Sequence, residues 1–100
     1  MKPIDKLFQE AVDKEADKII MLSVADFLKI DDFGRIESAT TENKIPIAWW
    51  HHKLDENLHH IVFQSERRYG LIFTKKYLSG IKLEDGKLLK LNDIELGQYD

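Results

Sequence analysis

The sequence predicts an α+β fold, an N-terminal amphipathic helix packed on an antiparallel sheet of about four to six strands. Three observations predict it. Apolar residues recur at helical spacing over the first twenty positions. From Arg35 onward short apolar runs alternate with turn residues. An Asp-Gly pair, Asp85-Gly86, sits between two such runs near the C-terminal end.

In the opening segment Ile4, Leu7, Phe8, Ala11, Val12, Ala16, Ile19 and Ile20 lie three and four apart and make one apolar stripe. Pro3 suits the first turn, where its missing N–H costs nothing. Lys6 with Glu10, and Glu10 with Lys14, are four apart on the outer face and add small electrostatic support. Ser23 followed by Asp26 has the pattern of an N-cap, which opens a second short helix over residues 24–30 burying Val24, Phe27 and Leu28. The competing reading makes residues 19–24 a buried strand, because a short apolar run does not define its own period. Asp31, Asp32, Phe33 and Gly34 have turn chemistry on either reading, with Gly34 able to take positive φ.

Strand grammar follows. Ile36 with its polar neighbours is a short strand, and residues 40–44 are a polar connection. Residues 45–53 and 58–66 flank the turn Asp55-Glu56-Asn57, and another strand begins at Leu71. Residues 81–83 and 87–91 flank Glu84-Asp85-Gly86, a hairpin signal. Asn92-Asp93 either caps a final helical turn through Glu95 or leads into an edge strand.

The hairpin over residues 48–63 holds both tryptophans and all four histidines. A three-residue turn sets His52 opposite His60, Trp50 opposite Val62 and Trp49 opposite Phe63; a two-residue turn sets His52 opposite His59. In the first register His52 and His60 share a face and are the candidate metal ligands, with a loop carboxylate as third donor. No established zinc spacing is present. The same histidines with Lys53 have the residue types for metal-free RNA cleavage. Trp49 and Trp50 point to opposite faces, so one belongs to the core and the other lies on the second face, either exposed as a partner anchor or covered by another element.

Composition narrows the function. The chain has 100 residues, 15 Lys+Arg, 18 Asp+Glu and no cysteine, which excludes disulfides, thiolate metal sites and cysteine nucleophiles. Its longest purely apolar run, residues 19–22, is far short of a bilayer span, so a single cytoplasmic domain with no membrane partner is expected. There is no phosphate-cradling glycine loop and no recognisable nucleophile motif, and no catalytic residue or cofactor is assigned. The expectation is a small non-catalytic protein-binding module, most concretely an inhibitor or immunity-type protein masking a basic target such as a nuclease or toxin. Asp31, Asp32, Glu84, Asp85, Asp93 and Glu95 are the acidic candidates for that contact. The alternative is RNA or single-stranded DNA binding through the basic-aromatic middle, with Trp49, Trp50, Arg67, Arg68, Lys75, Lys76 and Tyr77 as candidates. Exposed strand edges or a tryptophan face also allow a homodimer.

Overall fold

The computed structural model describes residues 3–38 and 44–100. Within them helix α1 (Pro3–Ile20) and helix α2 (Val24–Leu28) precede strands β1 (Phe33–Ser38), β2 (Ile45–Asp55), β3 (Leu58–Tyr69), β4 (Phe73–Glu84) and β5 (Lys87–Lys90), and helix α3 (Asp93–Gly97) closes the chain. The five strands form one antiparallel sheet in the order β1-β2-β3-β4-β5, so each pairs with its neighbour in sequence. The fold is α+β, with the N-terminal helix on the sheet, as the periodicity predicts. The expected polar connection over residues 40–44 lies, apart from Lys44, outside the described residues.

α1 lays its stripe on the sheet: Ala11, Val12 and Ala16 are buried, and Leu7, Phe8, Ile19 and Ile20 pack beside them. On its outer side Lys6 and Glu10 pair at 3.8 Å, whereas Lys14 forms no ion pair among the described residues. Residues 19–24 are not a strand. α1 ends at Ile20, and Ser23 caps α2 by accepting from Asp26 N–H at 3.1 Å. Phe27 is fully buried and Val24 packs against the core. Leu28 is 43% exposed, contrary to expectation, because five residues present one face and Ile30, just past the C-cap, fills the core position instead.

Two turns also differ from expectation. Phe33 and Gly34 already belong to β1, where Gly34 lies opposite Trp49. A Cβ at Gly34 would come within 2.4 Å of the Trp49 ring, so the glycine is there for close approach. Leu71 and Ile72 sit in a turn rather than a strand, because Tyr69 pairs with Phe73 and closes the hairpin before them. The Asp-Gly turn forms as expected, with Asp85 at φ 50° and Gly86 at φ 78°, the left-handed pair a tight hairpin requires. Asn92 and Glu95 make the reciprocal capping box of α3.

Alternation divides the sheet into two faces. The face under α1 carries Ile45, Ile47, Ile61, Phe63, Tyr77, Ile81 and Leu83 of the core. α3 and Leu91 cover part of the opposite face, where Leu91 N–H donates to the Gly80 carbonyl at 3.0 Å. No helix among the described residues is long and apolar enough to cross a membrane.

Candidate functional site

The histidine hairpin adopts the register in which His52 faces His60, Trp50 faces Val62 and Trp49 faces Phe63. The turn itself is shorter than that register suggests: Asp55 pairs with Leu58, and an irregularity between Lys53 and Asp55 absorbs the extra residue. Each face therefore receives one histidine pair.

On the same sheet face as α1, beside α2, His51 Nδ1 lies 2.9 Å from the Ile30 carbonyl and His51 Nε2 lies 2.8 Å from His59 Nδ1. A carbonyl only accepts, so His51 Nδ1 carries the hydrogen; its Nε2 then accepts from His59 Nδ1–H in the neutral pair. The Phe27 ring meets His51 edge-on at 5.7 Å. On the opposite face Tyr99 stacks on His52 at 4.7 Å between centroids, and its hydroxyl lies 2.7 Å from His60 Nδ1. Tyr99 thus occupies the approach to the two candidate metal ligands. No group of three His, Cys, Asp or Glu side chains converges among the described residues.

Burial holds His52, His59 and His60 below the ordinary histidine range, with the neighbouring His51 ring adding to the effect at His52 and His59 and the Lys53 ammonium adding to it at His59. At His60 the nearby Glu95 opposes the burial, and Glu84 does so more weakly, while Lys82 and His52 reinforce it. The unfolded chain takes up protons near the ordinary value of 6.5 while the folded chain resists, so stability is full above that pH and falls as pH drops below it. Urea unfolding at pH 7.5, 6.5 and 5.5 is expected to show a descending midpoint, with a smaller descent in His59→Gln. A midpoint unchanged over that range would contradict the buried placement. Asp5 and Glu95 titrate outside this window, because both carboxylates are lowered from ordinary values near 4. For Asp5 the main cause is the Tyr77 hydroxyl, and for Glu95 it is the Lys82 ammonium.

The basic-aromatic candidates are split by the same alternation. Trp49 packs against the core over Gly34, while Trp50 is 39% exposed on the opposite face. Arg67 and Lys75 are a cross-strand pair on the α1 side, each 3.3 Å from Asp5, whose carboxylate also accepts the buried Tyr77 hydroxyl. The Tyr77 ring lies tilted against Phe8, with 5.2 Å between centroids. Arg67, Lys75 and Tyr77 therefore anchor the start of α1, and of the seven candidates Trp50, Arg68 and Lys76 remain together on the open face. Asp5 was not singled out by sequence: an acidic residue in the first turn of a helix reads as dipole support.

The acidic candidates fare differently. β1 starts, β2 ends and β4 ends at the same end of the sheet, so Asp31, Asp32, Glu84 and Asp85 line that end together with Asp55 and Glu56 of the β2–β3 turn. The two turns touch, with Asp85 N–H donating to the Asn57 carbonyl at 3.3 Å. Asp32 pairs with Lys53 at 3.4 Å and Glu84 with Lys82 at 3.1 Å. Asp31, Asp55, Glu56 and Asp85 are exposed and form no ion pair among the described residues. Glu95 is bound to Lys82 at 2.8 Å and serves α3. Asp93 lies apart, on the flank near Asp17 and Lys90.

Comparison with protein-family models, characterised proteins and solved structures gives no match.

Proposed function

We propose that the chain is a protein-binding module whose acidic end docks on a basic partner surface, as an inhibitor masking a basic enzyme such as a nuclease would. The observation that carries this reading is the line of carboxylates at one end of the sheet, four of them exposed and without an ion pair among the described residues. They sit on strand ends and tight turns of a rigid sheet, so their spacing is preorganised rather than assembled on binding. Such a field raises the association rate with a cationic surface and opposes an acidic one. Of the two other acids named with them from sequence, Glu95 borders this surface by sharing the Lys82 ammonium with Glu84, while Asp93 lies on another flank.

The experiment is affinity capture from the native lysate, before and after nuclease digestion, with Asp31→Lys/Asp85→Lys beside the unmodified chain. One stoichiometric basic protein surviving digestion is expected, with affinity falling as salt rises and about tenfold or more weaker for the double variant. Capture that is indifferent to both salt and charge reversal would overturn the reading.

A further inference from the structure

α3 covers only part of the sheet face opposite α1. On the uncovered part a groove of about 650 Å³ crosses the first three strands, within the size range of small-ligand sites. Its floor is Ala48, which lies between Arg35 of β1 and Gln64 of β3 in the register. Trp50 lines it with an indole that is 39% exposed. Arg35 and Arg68 line it as well, and neither makes an ion pair or side-chain hydrogen bond among the described residues. The contrast with the other face is direct, since Arg67 and Lys75 both converge on Asp5 there. Among the described residues Glu66 is the one acid lining the groove, and it accepts from Gln64 at 2.8 Å.

Two uncommitted guanidinium groups in a concavity favour an anion, and guanidinium geometry matches phosphate oxygens. An exposed indole above a small residue offers a stacking surface for a flat ring. We propose that this groove binds a nucleotide unit, with its base stacked on Trp50 and its phosphate held by Arg35 and Arg68. The Glu66 carboxylate supplies an acceptor for N–H groups on the base edge. That chemistry is common to a free mononucleotide and to one unit of a single strand. A strand running on across the face meets Lys76, which pairs with Glu66 in the register and provides a further phosphate contact. The groove is separate from the acidic end and does not depend on it.

The test is tryptophan fluorescence and calorimetry on the full chain, with adenosine and guanosine monophosphates in one arm and ten-nucleotide uridine and thymidine oligomers in the other. Quenching and saturable binding are expected. Trp50→Ala, Arg35→Ala/Arg68→Ala and Ala48→Leu, which fills the floor, should each weaken binding about tenfold or more. The acidic-end variant Asp31→Lys/Asp85→Lys should bind normally, so that failure here and failure of the protein-binding reading are separable. Equal affinity per site for monomer and oligomer assigns the groove to free nucleotides; oligomer binding with a steep salt dependence assigns it to single strands. Circular dichroism confirms that each variant is folded. Absence of binding in both arms, or binding that survives Ala48→Leu and Trp50→Ala unchanged, would overturn the proposal.

Discussion

Phe27→Ala is expected to lose about 3–5 kcal/mol of unfolding free energy, the range for truncating a buried phenylalanine. The ring is fully buried and is the largest apolar group that α2 contributes. A helix of five residues cannot hold itself together, so this side chain, with Val24 beside it and the Ser23 cap, keeps α2 in place. The loss would be a large share of the roughly 5–15 kcal/mol that stabilises a typical domain. Urea unfolding should show a lower midpoint with an unchanged slope. A second consequence separates this from a generic core defect. The ring lies edge-on to His51, so its removal admits water to the His51–His59 pair and should flatten the acid-induced loss of stability. A decrease below about 1 kcal/mol would show that the pocket collapses around the smaller side chain.

Gly80→Val should destabilise the chain by about 3 kcal/mol or more, above the usual range for an overpacked site. A Cβ at this position would lie 2.6 Å from the Ile61 carbonyl oxygen and 2.7 Å from Leu91 Cδ1. The leucine tip can rotate away, but the carbonyl belongs to the partner strand and cannot move without displacing the β3–β4 ladder. Leu91 also leads into α3, so its displacement should free Tyr99 from His52 and His60. Proton NMR would report this as a loss of the ring-current shifts on the two imidazoles. Retention of those shifts at wild-type stability would mean that the strands had absorbed the methyl groups.

Local signals in the sequence were strong where the chemistry is local. The helical stripe from Ile4 to Ile20, the Ser23 cap, the Asp85-Gly86 turn and the Asn92 cap all depend on residues within four positions of one another, and all form. The histidine register was legible in part, since alternation separates His51 from His52, while the irregularity before Asp55 depends on how the strand twists. Arg67 and Arg68 show what local reading loses. Adjacent in sequence, they fall on opposite faces, and only the placement of Asp5, 62 residues from Arg67, decides that one of them is consumed in the fold. Arg35 carried no sequence signal at all. Its place in the groove comes from pairing with Ala48, a long-range register that no window around residue 35 contains. Tyr99 belongs to the same class: its role over His52 and His60 depends on where α3 comes to rest.

The Asp5–Tyr77 bond joins residues 72 apart, whereas each strand pairs with its immediate neighbour in sequence. During synthesis the hairpins can close as soon as each is made, but α1 is made before the sheet and waits for β4 before it can be buried. At about 5–20 residues per second that interval is on the order of several seconds. Over it the apolar stripe of Leu7, Phe8, Val12 and Ile19 is open to solvent and to chaperones. The contacts that bury α1 are therefore long-range, although every strand pairing beneath it is between neighbours in sequence.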